Sequence, residues 1–390
     1  MKKAILAIIM TFCLVTVVYA DIEISGHVVT VWSDAQYDEL TARGTSAGVP
    51  LALTMGSGPQ VIENNPLSSG VYQLNSTAAA AADVLAVAEI ELDIDADITD
   101  NISARIDLEA AENLGPDVEA AYIKLVQPFD VPFDVIVGKF VAPVGVEPQE
   151  QIDRKLITNS LPDKFLPNTL TGIAVTGTVS AIDYVIFYVN DLDAGDNDRN
   201  EVTDGSNAIG ARLATSPLEG LDIGIAYAVE SLNDVTNLNP TDVDFRVLDV
   251  DAVYANGPWE IRGEYLAASE DDSAPEIVYV GGFNTNGDQD VDAYSIQVSY
   301  DVDEQINVVA RYANEEPNQA NARRTNNNLG ATRTALGNEY TVVSVGASYA
   351  FSENAIFKIE YSDIDTEEAT GVPVYDPDDN LIACELTVAF

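Results

Sequence analysis

Apolar and polar side chains alternate with a period of two along most of this chain, nowhere more cleanly than after residue 83. Val84, Ala86, Ala88, Ile90, Leu92, Ile94, Ala96 and Ile98 share one face, and Glu89, Glu91, Asp93, Asp95 and Asp97 share the other. That period belongs to a β-strand whose two sides meet different surroundings. A turn at Thr99, Asp100 and Asn101 reverses it into Ile102, Ala104, Ile106, Leu108 and Ala110, with Arg105, Asp107 and Glu109 opposite. The rhythm starts over residues 22–32 and closes on Ile382, Cys384, Leu386, Val388 and Phe390, which places an aromatic at the expected membrane boundary. It predicts about sixteen strands.

The connections alternate as well. Tight turns fall near residues 100–101, 128–132, 180–181, 216–220, 256–258, 301–304 and 352–354, several marked by Gly or Pro. Longer polar stretches fall near 34–80, 140–168, 191–206, 231–242, 269–290, 314–338 and 363–379. Short turns on one rim and long loops on the other describe an all-β, antiparallel transmembrane barrel, with short periplasmic turns and long extracellular loops. Lipid offers no partner to a bare backbone group, so a sheet that spans it must close on itself. Aromatics support this: Tyr294 and Tyr300 bracket Ile296 and Val298, and Phe357 and Tyr361 bracket Ile359, as membrane interfaces prefer. Around 248–251 the acidic alternation slips, and the pattern there predicts a bulge or a shifted face.

Lys2 and Lys3 precede an apolar run, and Val18-Tyr19-Ala20 ends it with a cleavable motif, so residues 1–20 read as a signal peptide and 21–390 as the barrel. Cys384 is then the one remaining thiol, so no internal disulfide is expected. No later apolar stretch is long enough for a spanning helix. The chain carries 64 acidic against 18 basic residues, a net charge of −46, which excludes nucleic acid as a partner. Hydrophobic content of 47% and seventeen tyrosines exclude disorder.

If the apolar faces meet lipid, the polar faces line water. The expected pore-lining residues are Glu89, Glu91, Asp93, Asp95, Arg105, Asp107, Glu109, Asp183, Arg212, Asp222, Glu230, Glu260, Arg262, Glu264, Arg311, Lys358 and Glu360. Such a predominantly acidic wall would concentrate cations. The proline-rich segment 140–168 is long for a connection, and loops of that length are commonly functional. Folded inward, it would form a constriction that sets Glu147, Glu150 and Asp153 near Arg154 and Lys155.

Gly138-Lys139-Phe140, Pro143, Gly145 and Glu147, then 161–165 (LPDKF) and 171–173 (TGI), resemble the pattern of phosphate-selective-type porins and the related OmpL-like β-barrel porins. The resemblance implies a strand end, a long loop and a returning strand, in an outer-membrane channel that is monomeric or homotrimeric. Phosphate-selective members use many pore cations, whereas here Arg105, Arg212, Arg262, Arg311 and Lys358 are the inward candidates. The first strand and the long loops leave a siderophore channel open as well.

Carboxylates crowd the loops at Asp191, Asp193, Asp196 and Asp198, at Asp288, Asp290 and Asp292, and at Asp376, Asp378 and Asp379. These suit loop-bound calcium or bridges to lipopolysaccharide, though none has the spacing of a known calcium loop. His27 is the one histidine, so neither a catalytic triad nor a zinc site of the His/Cys type is expected. The expected function is passive diffusion of small hydrophilic solutes through a cation-preferring porin. A specific siderophore or anion channel and a barrel-anchored surface-binding protein are the alternatives, separated by conductance.

Overall fold

In the computed structural model the described residues are 21–37, 60–61, 72–73, 84–111, 114–128, 131–148, 151–165, 169–190, 192, 207–233, 242–272, 289–317, 340–366 and 379–390. The expected signal peptide lies outside them. Strand β1 (Asp21–Tyr37) opens the barrel, and a small separate pair, β2 (Gln60–Val61) and β3 (Tyr72–Gln73), follows it. Next come β4 (Val84–Thr99), β5 (Ile102–Ala111), β6 (Leu114–Leu125), β7 (Asp134–Val141), β8 (Thr169–Val179) and β9 (Ile182–Val189). Then β10 (Asn207–Leu218), β11 (Leu221–Asn233), β12 (Asp242–Asn256), β13 (Trp259–Asp272) and β14 (Gln289–Asp301) continue round the wall. The last four are β15 (Ile306–Pro317), β16 (Tyr340–Ser352), β17 (Ala355–Thr366) and β18 (Asp379–Ala389).

Sixteen of these strands form one closed antiparallel barrel, in which β1 pairs with both β4 and β18. The expected sixteen strands are therefore found, and short connections alternate with long ones except between β5 and β6, which two residues join on the long-loop rim. At the closing seam Gly26 N donates to Phe390 O over 3.3 Å and Phe390 N to Gly26 O over 3.0 Å. Outward faces carry Ile90, Ile106, Leu213, Ile225, Ile296, Val345, Ile359 and Leu386, all exposed, which a soluble sheet would bury and a membrane covers. Cys384 sits on this outer face between Ile382 and Leu386.

Two levels of outward aromatics bracket the apolar band. Near the short turns Trp259 packs against Tyr300 at a tilt of 53° with centroids 4.6 Å apart, and Tyr349 meets Phe351 edge-on at 5.0 Å. Toward the long-loop rim, tyrosine hydroxyls reach polar side chains on the next strand: Tyr188 to Asn207 (2.8 Å), Tyr265 to Asp292 (2.6 Å) and Tyr361 to Asn380 (2.5 Å). An apolar ring with a polar tip suits the headgroup level.

Two sequence expectations change. Register shifts between Val29 and Thr30 where β1 meets β4, so that Thr30 faces Val87 and one residue of β4 is skipped. This bulge turns Ala88 inward, where it is buried beside Val29 and Val31, and leaves Leu85 exposed outside. By contrast, β12 runs without any shift against β11 and β13. Asp249 and Asp251 lie inward and Val250 outward in unbroken alternation, so no bulge is needed there.

Candidate functional site

The inward face is built from alternate positions of each strand, and the candidate residues expected there occupy such positions. Glu89, Glu91, Asp93 and Asp95 lie on β4, Arg105, Asp107 and Glu109 on β5, Arg212 on β10, and Glu260, Arg262 and Glu264 on β13. Arg311 lies on β15, and Lys358 and Glu360 on β17. Asp183 and Asp222 sit near the short turns, exposed, where they accept hydrogen bonds from Thr178 and Ser216. Glu230 accepts from Leu192 N over 3.0 Å.

Each of the five expected inward cations lies beside a carboxylate, and so does a further inward cation, Lys124 of β6, 3.0 Å from Asp134. Arg105 donates from Nε to both oxygens of Asp107 (2.7 and 2.9 Å) and from Nη2 to Asp93 (3.1 Å), with Asp95 at 3.7 Å. Arg212 engages Asp251 (2.5 and 2.9 Å) and Asp249 (3.4 Å). Arg262 donates to Glu260 (2.7 Å), Lys358 lies 2.8 Å from Glu385, and Arg311 lies 4.0 Å from Glu147. Asp249, Asp251 and Glu385 were absent from the expected set. For the first two the signal was present in the alternation of β12, once no bulge is imposed.

The described residues of the segment between β7 and β8, 142–148 and 151–165, lie inside the barrel and reach the opposite wall. The segment leaves through Gly138, whose φ of +137° and close approach to Ala121 O admit no side chain, and turns at Gly145 (φ +82°). Phe140 and Ala142 pack into an inward apolar layer with Leu170, Phe187 and Val189. The family-like motif thus encodes an inward exit. Gly145 N donates to Asp249 (3.0 Å), and Arg262 reaches Val146 O (3.4 Å).

On the far wall Glu360 accepts from Ile157 N (2.6 Å), Thr158 N (3.0 Å) and the Thr158 hydroxyl (2.5 Å). Arg311 Nη2 donates to Thr158 Oγ1 (2.7 Å) and Asn159 O (2.9 Å), and Ser160 Oγ reaches Glu264 (3.4 Å). Ile157 and Leu161 fill an apolar patch made by Val29, Val31, Ala88, Ala313, Val342, Ile364, Leu381 and Ala383. Burying each is worth about 1.5–3 kcal/mol.

Of the expected constriction charges, Glu147 is buried near Arg311, Asp153 is exposed, Lys155 is half-buried, and Glu150 lies outside the described residues. Arg154 turns back into its own loop, to Pro148 O (2.7 Å) and Asn159 Oδ1 (2.5 Å). Asn159 in turn donates to Asp163 (2.6 Å). Among the loop carboxylates considered for calcium, Asp292 is the described side chain, and it binds Tyr265.

Burial pushes the Asp163 carboxyl up from an ordinary 3.8 to about 6; Glu147 adds to this, and Arg154 and Arg311 oppose it. The docked loop therefore holds more protons than a free one between those values, so its docking strengthens as pH falls from 7 to 5 and weakens as pH rises through 6. Amide-exchange protection of Ile157 and Thr158, corrected for intrinsic rates, should rise over that fall in pH. It should stay flat in Asp163→Asn; an equal rise in that variant would assign the effect to another group.

With this geometry in place, comparison with known proteins is decisive at the level of family. Residues 94–390 match the family described as Putative beta-barrel porin-2, OmpL-like. The chain belongs to that family. It is a porin-type barrel of the bacterial outer membrane. Similar folds include the outer-membrane channel DcaP of Acinetobacter baumannii (TM-score 0.62, 11% identity, 95% of this chain and 97% of that one). An anion-selective porin from Comamonas acidovorans (0.58, 13%, 95% and 100%) and OmpT of Vibrio cholerae in its trimer form (0.56, 13%, 95% and 99%) are also similar. At these identities the likeness is one of fold alone. No curated protein matches the sequence.

Proposed function

We propose that this porin passes small hydrophilic solutes passively and prefers cations, with residues 140–168 narrowing the pore. The observation that carries the reading is the state of the inward cations: Arg105, Arg212, Arg262, Arg311 and Lys358 all lie against carboxylates. A permeating anion would find those charges neutralised, while carboxylates outnumber cations along the inward faces of β4, β5, β12, β13 and β17 taken together and leave the wall acidic. Fixed negative charge in a narrow aqueous path concentrates cations, most strongly at low salt. Transport of this kind has no chemical step, so the protein acts as a channel and not as an enzyme. A homotrimer, as in the trimer form of OmpT, is the expected assembly.

The test is a reversal potential across planar bilayers in a KCl gradient. Wild type should be cation-selective, and Asp93→Asn with Asp95→Asn should bring the cation-to-anion permeability ratio toward one, while Arg105→Gln should raise it. An anion-selective wild type would overturn the acidic-wall reading and favour the phosphate-type alternative.

A further inference from the structure

His27 is the one histidine of the chain, and the barrel brings two carboxylates to it from 62 and 64 positions away. Strand pairing sets His27 opposite Glu91 and Val29 opposite Glu89, beside the bulge that fixes the inward aim of this part of β4. His27 Nε2 is hydrogen-bonded to Glu89 and lies 3.5 Å from Glu91 Oε2. One donor atom from each of the three side chains falls within 4.8 Å of the other two. His27 and Glu91 are buried at 3% exposure each, while the Glu89 side chain keeps 20%, so the group has a rigid back and one open side.

We propose that His27, Glu89 and Glu91 form an inward-facing site for a first-row divalent transition-metal ion of the Zn²⁺ type. Ligands bound at about 2.0–2.2 Å to one ion lie about 3–3.5 Å from each other, and the His27–Glu91 separation already matches. One imidazole nitrogen with two carboxylate oxygens suits Zn²⁺, Ni²⁺ or Co²⁺, and the open side leaves positions for water. Calcium fits poorly, since it takes six to eight oxygens and has no use for the imidazole. All three side chains stand on paired strands of the wall, so an ion would need only the partly exposed Glu89 to draw back from Nε2 to admit it. The site is independent of the channel reading, because binding is measured without any current.

The experiment is calorimetric titration of the refolded full chain in detergent with ZnCl₂ at neutral pH, and separately with CaCl₂. Visible absorption of bound Co²⁺ gives a second readout, one that reports the coordination geometry of the ion and should be lost in His27→Asn. Wild type should take up about one Zn²⁺ per chain, with His27→Asn and Glu91→Gln each losing roughly 100-fold or more in affinity. Heat-modifiable gel mobility verifies that both variants form the barrel, and their near-isosteric side chains preserve strand pairing. Absence of saturable Zn²⁺ binding, or equal binding by wild type and His27→Asn, overturns the proposal and leaves an ordinary imidazole–carboxylate pair.

Discussion

Glu360→Gln should release the inward loop and raise single-channel conductance roughly twofold or more, with the barrel intact. Glu360 is 1% exposed and meets three loop donors with two oxygens: Ile157 N, Thr158 N and the Thr158 hydroxyl. Hydrogen bonds to a charged group contribute about 1.5–3 kcal/mol each, and they are not additive. Glutamine preserves the shape and can keep its oxygen toward the two backbone N–H groups that share Oε2, but its NH₂ then faces the Thr158 and Ser362 hydroxyls that donate to Oε1, and the buried charge that draws all four donors is gone. The wall itself is untouched, because β17 pairs with β16 and β18 through backbone groups that the substitution leaves alone. Adding Arg311→Met removes the second clasp, to Thr158 and Asn159, and should widen the effect. Conductance equal to wild type in both variants would mean that this loop does not govern the pore.

The wall was legible in the sequence because the membrane imposes one rule on every strand. Each outward position must be apolar, so the alternation from Ile102 to Ala110 or from Ile382 to Phe390 identifies both the strand and its face. Asp249 and Asp251 obey that rule too: they face inward with Val250 outward between them, and β12 pairs on both sides without the bulge or shifted face that the slip in acidic alternation predicts. Ala88 shows the limit. Alanine suits either face, so nothing local marks the skipped residue that turns it inward; the pairing of β1 with β4 decides.

The interior was less legible, for a different reason. Proline content and length marked residues 140–168 as unusual, but the partners that hold them are remote in sequence: Ile157 and Glu360 are separated by 203 positions. Pairing of that kind depends on ring closure, which places β15 and β17 across from β7 and β8. The same closure gathers His27 with Glu89 and Glu91. Charge type could be read from sequence, and charge pairing could not. The acidic excess was visible in the alternation, but which carboxylate stands beside Arg105, Arg212 or Lys358 depends on the register between strands.

Arg212→Met tests how far those pairs also hold the barrel together. Asp249 and Asp251 stand two apart on the same face of β12, at 0% and 5% side-chain exposure, and Arg212 of β10 is the cation between them. Gly224 of the intervening β11 leaves room for its guanidinium, since a Cβ there would fall 2.3 Å from Nη2. Methionine keeps most of the aliphatic stem and removes the charge, which leaves two buried carboxylates repelling each other with the Gly145 amide as a remaining donor to Asp249. Stranding buried charge in this way costs about 3–5 kcal/mol. The thermal unfolding midpoint in detergent should fall by roughly 5 °C or more. Adding Asp251→Asn to the Met variant should restore a large part of the loss, because the repulsion then ends, and the four midpoints of the cycle measure the coupling. The two readouts then separate: in Arg212→Met stability drops while cation preference rises, since the wall has lost a positive charge and kept both negative ones. A midpoint unchanged by Arg212→Met would show that water reaches the pair freely and that its short contacts contribute little to the fold.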